Sequence, residues 1–148
     1  MITSHQKNIA TFIHLSTFTR FIFPFGNFIA PIVLWSLNKE KSDYIDHHGK
    51  QAINFQISIL IYSLIIGCIT IPFFLFGLFN HLDVFDFNTF NNITINVTKP
   101  SPLLYIGGAL GGIAIVGFIL ELILILLASL KARDGEAYRY PLTIAFIK

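Results

Sequence analysis

An acidic side chain deep in an apolar run is expensive, and Glu121 is one: it stands in the stretch from Leu103 to Leu130, which is otherwise almost wholly aliphatic. A charged group at the centre of a transmembrane helix costs about 2.5–3.5 kcal/mol on insertion scales, so it must face protein or water, or be protonated. Glu121 precedes Leu130 by nine residues, which puts it ~13 Å from that helix end at a rise of ~1.5 Å per residue. Gln51, Asn54, Ser58 and Tyr62 follow one another at intervals of three, four and four, a spacing that lines them up on one helix face. Tyr62 reaches a depth comparable to that of Glu121. Arg20, near the middle of the first apolar stretch, supplies the matching positive charge. Arg20, Asn54, Ser58, Tyr62 and Glu121 therefore form a candidate intramembrane polar site. Two chemistries are open to it: a proton, ion or substrate pathway, or polar contacts that fix helix packing. Packing is the preferred reading, because three helices are few to line a pathway without an oligomer or a larger partner.

Other clusters carry less. Asp43, Asp46, His47 and His48 contain metal-ligating types, but adjacent histidines seldom converge on one ion and no cysteine or third spaced histidine supports them. They read as a solvated loop or a helix cap, with Asp46 capping the second helix and Gly49 near its start. No metal and no cofactor is expected. Neither a nucleophile elbow, a phosphate loop nor a zincin motif occurs, so an enzyme is disfavoured. Gly107, Gly108, Gly111 and Gly112 give two overlapping G-x-x-x-G spacings, which allow close helix approach within the chain or between copies in a homo-oligomer. Cys68, the single cysteine, is taken as packing, since it has no partner for an intrachain disulfide.

The elements that must position these residues are helices in a bilayer. The chain has 148 residues, 54% hydrophobic and 12% charged, with a mean hydropathy of +0.69, outside the range of soluble domains. Three apolar stretches, Phe12 to Leu37, Ala52 to Phe79 and Leu103 to Leu130, each exceed the ~20 residues that cross ~30 Å of hydrocarbon. The expected fold is an all-α integral membrane protein with two transmembrane helices and a broken N-terminal helix. Pro72 predicts a kink in the second stretch, while Pro24, Gly26, Asn27 and Pro31 predict a break in the first, as a kinked span or the tip of a re-entrant hairpin. A hairpin would bring Arg20 to the depth of Glu121, and the buried charges favour it slightly.

Lys39, Lys41 and Lys50 in one loop, and Lys131, Arg133, Arg139 and Lys148 in the tail, outweigh Lys99 in the loop 80–102. Residues 1–148 then form a single membrane domain with the loop 80–102 extracytoplasmic and an interfacial tail, 131–148, on the cytoplasmic side. A re-entrant first segment keeps the N-terminus inside; a spanning one puts it outside. Leu142, Ile144, Phe146 and Ile147 are expected to pack the tail back onto the bundle. The outer loop alternates Ile93, Ile95 and Val97 like a short strand, and its triplets at Asn92 and Asn96 match glycosylation acceptors by little more than Asn content. No cleaved signal peptide is expected, because Arg20 and Pro24 interrupt the first apolar stretch. A net charge of +2, from scattered basic residues, argues against nucleic acid; the expected partner is the lipid bilayer.

Three segments also resemble a bacterial membrane family termed Tic-twenty-like, a domain of unknown function named after a chloroplast import component. They are Pro24-Phe25-Gly26-Asn27-Phe28-Ile29-Ala30-Pro31 leading to Trp35, Asp46-His47-His48-Gly49-Lys50-Gln51-Ala52-Ile53-Asn54-Phe55-Gln56, and Tyr138-Arg139-Tyr140-Pro141-Leu142. Ala30 and His47 depart from that family's pattern, in which glycine and an acidic residue are usual. The resemblance implies a bacterial cytoplasmic-membrane protein with a link to protein transport, while the absence of catalytic motifs beside abundant packing motifs points to a non-enzymatic structural or accessory subunit in a homo-oligomer or larger complex. The alternative is a small transporter or channel that uses Glu121 and Arg20. In the resembling segments, Asn54 and Gln56 lie just inside the bilayer and need partners, for which the backbone around Gly26 is the expected source.

Overall fold

The computed structural model describes residues 2–79 and 102–148. The strand-like alternation and acceptor triplets of the outer loop lie outside the described residues. The regular elements among them are all helical, in the order α1 (Ser4–Leu15), a 3-10 helix (Ser16–Phe21), α2 (Gly26–Ser36), a 3-10 turn (Lys39–Lys41), α3 (Asp43–Phe79) and α4 (Pro102–Asp134), followed by a non-helical tail, 135–148. The expected all-α class with two long apolar helices and a broken first segment is what the structure has. It forms two compact units, Met1–Ile61 with Ile119–Lys148, and Tyr62–Phe118.

In the first unit, the broken segment is a helical hairpin. α1 starts with a capping box in which Thr3 and Gln6 each accept from the other's backbone N–H, which satisfies donors that a helix start leaves open. Its end tightens for a local reason. The hydroxyls of Ser16, Thr17 and Thr19 donate to the carbonyls of Ile13, His14 and Ser16, each three residues back, at 2.7–2.8 Å. Such bonding competes with regular helix and suits the 3-10 geometry that follows. The chain turns at Phe25, whose φ of +62° is left-handed. Gly26 then passes so close to Thr19 that an added Cβ would lie 2.5 Å from its carbonyl oxygen, so only glycine permits the hairpin to close. Ile9 and Ile13 of α1 and Leu34 and Trp35 of α2 meet on Ile45 and Ala52 of α3, which brings both open ends of the hairpin to the start of α3.

α3 begins a turn earlier than Asp46 predicts. Ser42 is the cap, accepting from the N–H of Tyr44 at 3.2 Å, while Asp46 accepts from the Trp35 indole at 2.9 Å and pairs with Lys50. α3 continues as one helix through Pro72. α4 extends to Asp134, past the tail boundary expected at residue 131. It closes with Gly135 at φ +89°, whose N–H bonds Ala132 O while that of Glu136 bonds Lys131 O, the Schellman pairing that satisfies the last carbonyls.

The two long helices bury little of their apolar surface: none of the most apolar 18-residue window of α3 is buried, and 22% of that of α4. Core helices of a soluble protein would be buried there. Both helices are long and apolar enough to cross a membrane, and their apolar faces point outward. In the second unit the helices meet at glycines: a Cβ on Gly107 would lie 2.9 Å from the Phe74 backbone, and one on Gly77 would lie 2.5 Å from that of Leu104.

Candidate functional site

Polar side chains of the first unit gather on three levels. At the first, Arg20 on the 3-10 helix reaches Glu121 on α4, Nη1 to Oε1 2.7 Å, with side-chain exposures of 23% and 3%. The hairpin makes this pair possible, because it folds Arg20 back to the carboxylate's depth. Beside it Asn27 Nδ2 donates to Gln56 Oε1 at 2.8 Å, both residues being buried. Gln56 is thus met by the side chain of Asn27 rather than by the backbone around Gly26.

The second level is the polar stripe of α3, and the C-terminal tail occupies it. Asn54 Oδ1 accepts from the N–H groups of Phe146 and Ile147 at 3.1 and 2.9 Å, and its Nδ2 donates to Ile147 O at 2.9 Å. Ser58 accepts from the Ile144 N–H at 2.9 Å and donates to Asn54 O, and Gln51 accepts from the Tyr140 N–H at 3.3 Å. The tail is held through its backbone. Leu142, Ile144 and Phe146 are 84%, 44% and 47% exposed, so these side chains face outward instead of packing back on the bundle. The reason is that Asn54 and Ser58, buried in an apolar setting, need donors and acceptors, and an extended backbone carries both at every residue. Tyr62, the last member of the expected stripe, belongs to the second unit.

The third level, near the start of α3, joins three elements through histidine. His14 on α1 is fully buried; its Nε2 lies 2.8 Å from His48 Nδ1 and its Nδ1 lies 3.0 Å from the Tyr140 hydroxyl. Tyr140 stacks on Phe55 with centroids 4.0 Å apart and planes within 8°, inside a cluster with Ile125 and Ala128. Burial holds His14 far below its ordinary value, at about 3, and the neighbouring His48 and His47 push the same way. Burial raises the Tyr140 phenol well above its usual range, helped by Tyr138 and Glu121. Tyr44 adds a bond from its hydroxyl to Ala132 O at 2.7 Å. Nothing in the spacing around His14 singled it out, although a titratable ring between Ile13 and Leu15 in an apolar run was a signal available to be read.

The remaining candidates are distributed as follows. Among the described residues no three His, Cys, Asp or Glu side chains form a group able to hold a metal; Asp46 and His48 are engaged with Trp35, Lys50 and His14. Gly49 lies against the Trp35 side chain, where a Cβ would overlap it. Of the four glycines in the two G-x-x-x-G spacings, Gly107 serves the contact with Phe74, while Gly108, Gly111 and Gly112 face open space. Cys68 is exposed rather than packed. Pro24, Arg139 and Pro141 are exposed, and Pro31 is buried. Phe21, Ile22 and Phe25 at the hairpin tip are 64%, 81% and 69% exposed, an apolar surface suited to lipid.

The family match corrects the resemblance drawn from the sequence. The segments that carried the Tic-twenty-like reading do structural work: Gly49 admits Trp35, Gln56 meets Asn27, and Tyr140 meets His14. Needs of that kind arise in any small helical membrane bundle, so such segments do not discriminate between families, and the link to protein transport falls with the resemblance. No curated protein and no solved structure matches the chain. Residues 5–147 match the model of the MamF/MmsF family, described as the magnetosome magnetite crystal formation protein family, and the chain belongs to that family.

Proposed function

We propose that this protein is a non-enzymatic, multi-pass component of the magnetosome membrane that acts structurally in magnetite crystal formation. The observation that carries the reading is the family match over residues 5–147. The polar contacts of the first unit agree with a structural role: Arg20 pairs with Glu121, Asn27 Nδ2 donates to Gln56 Oε1, and Asn54 and Ser58 bond the tail. A pathway for ions needs polar groups that can exchange partners with a passing solute, and Arg20, Glu121, Asn54 and Ser58 are engaged with protein groups, which argues against the transporter alternative. The end of the molecule bearing Lys39, Lys41, Lys131 and Arg133 is proposed to face the cytoplasm. Close approach at Gly108, Gly111 and Gly112 remains open to a second copy or a larger complex as partner.

The test is replacement of the gene in a magnetite-forming host by a deletion and by a tagged copy. Crystals of altered size or number on deletion, with the tagged protein retained in magnetosome membranes after carbonate washing, are the expected result. Normal crystals, with the protein confined to other membranes, would overturn the proposal.

A further inference from the structure

The histidine level reads as a directional chain of hydrogen bonds. Across 2.8 Å, His14 Nε2 and His48 Nδ1 share one proton, so one donates and the other accepts. A phenol O–H is a good donor, and placing it toward His14 Nδ1, 3.0 Å away, settles the rest: His14 Nε2–H donates to His48 Nδ1. His48 then carries its proton on Nε2, a buried atom without a hydrogen bond of standard geometry that has the Glu136 backbone nearby. This tautomer assignment follows from optimising the network. It links the tail, α1 and α3 through two hydrogen bonds, and it works with neutral rings.

A proton added to His14 Nδ1 removes the acceptor of Tyr140 and places a cation where no carboxylate neutralises it. The groups around the cluster of His14, His48, Tyr140 and Tyr44 are His47 from α3, Glu136 and Tyr138 from the tail, and Glu121 and Asp134 from α4; of these, His47 acts on His14 itself, as His48 does. Glu121 is held by Arg20 and Glu136 by Lys131, while Asp134 acts on Tyr44. Its nearest charged influences are the other two histidines, and both oppose a positive charge.

We propose that His14, His48 and Tyr140 form a proton-operated latch: with both rings neutral the C-terminal tail is docked on α3, and protonation releases it, uncovering Asn54 and Ser58. The direction with pH follows from linkage. Burial holds the docked His14 at about 3, far below its ordinary value, and loss of the tail's cover shifts it back towards that value, so docking is at full strength above the released value and weakens as pH falls through it. For one proton the docking constant drops by up to about tenfold per pH unit below that value.

A nitroxide at Ala145→Cys, in a Cys68→Ser background of the full chain in nanodiscs, reads docking as an immobile spectrum. Ala145 is exposed and lies between the anchored residues Ile144 and Phe146. The expected result is an immobile label at pH 7.5 and a mobile fraction that grows as the pH is lowered below the ordinary histidine range. His14→Gln, which keeps a donor and an acceptor but does not titrate, should flatten that dependence. Tyr140→Phe, which keeps the stack on Phe55, should raise the mobile fraction at neutral pH and move the midpoint upward. A spectrum unchanged from pH 8 to 4.5, or the parent's slope retained in His14→Gln, would overturn the latch. If circular dichroism shows that His14→Gln has lost its helices, Tyr140→Phe decides: an unmoved midpoint overturns the proposal and a raised one supports it.

Discussion

At the scale of single residues, a half-buried charge pair joins side chains that lie 101 positions apart in sequence. Arg20 and Glu121 exemplify a general asymmetry: breaking a buried pair by removing one partner costs roughly 3–5 kcal/mol, whereas replacing both by apolar groups is often neutral. Arg20→Ala should therefore destabilise the protein by about 3 kcal/mol, at the low end because Arg20 keeps some exposure. The double variant Arg20→Met with Glu121→Leu should recover most of that loss, as read from thermal unfolding in detergent. Equal destabilisation by the single and double variants would mean that the pair contributes more than packing. His14 follows the same logic with the opposite sign: the neutral ring belongs to the fold, and charging it does not.

At the scale of elements, the tail and the hairpin solve one problem by different means. Both put non-helical backbone beside an apolar environment, where each unsatisfied N–H or C=O is costly. The hairpin satisfies itself: the hydroxyls of Ser16, Thr17 and Thr19 donate to carbonyls where α1 ends, and in the turn the N–H groups of Ile22 and Phe23 bond Thr19 O and that of Gly26 bonds Phe23 O. The tail is satisfied by α3. Ser58 lies eight residues beyond Lys50, ~12 Å further along the helix, so the bond from Ile144 draws the tail well below the level of the last α3 charge. Asn54→Ala would strip partners from Phe146, Ile147 and the Ile147 carbonyl, at about 1–3 kcal/mol for each buried group left open. Carboxypeptidase should then remove the C-terminus at least about tenfold faster than in the parent, since ~1.4 kcal/mol corresponds to a factor of ten. The exposed Arg139→Ala should leave the rate unchanged. Equal digestion of all three proteins would show that the backbone bonds do not hold the tail.

At the scale of the whole molecule, the arrangement of the first unit makes a statement about membrane topology. Lys7 Nζ donates to the Asp134 carbonyl at 3.1 Å, and the end of α2 meets the start of α3 through Trp35 and Asp46. The N-terminus, the α2–α3 connection and the end of α4 therefore share one end of that unit. Single cysteines at Ser4 and Lys148, in a Cys68→Ser background, should react alike with an impermeant thiol reagent: protected in intact cells, labelled once they are opened. Labelling of Ser4 but not Lys148 from outside would require the first segment to span, and would contradict the hairpin.

Much of this was legible in the sequence itself. Composition and the length of the apolar stretches determined a helical membrane protein, because apolar length and bilayer thickness are coupled one to one. The prolines and glycine of residues 24–31 determined that the first segment is broken, and the cost of a lone Glu121 determined that it has a partner. Which partner, and by which geometry, only the tertiary structure decided. Arg20 reaches Glu121 because Gly26 lets the hairpin close over Thr19, a steric fact with no periodicity to announce it. Asn54 and Ser58 share a face, as their spacing requires, but what covers that face is tail backbone, and backbone hydrogen-bonding capacity is the same at nearly every position of every sequence. His14, His48 and Tyr140 converge from three elements. Their meeting depends on long-range packing, which local residue pattern does not encode.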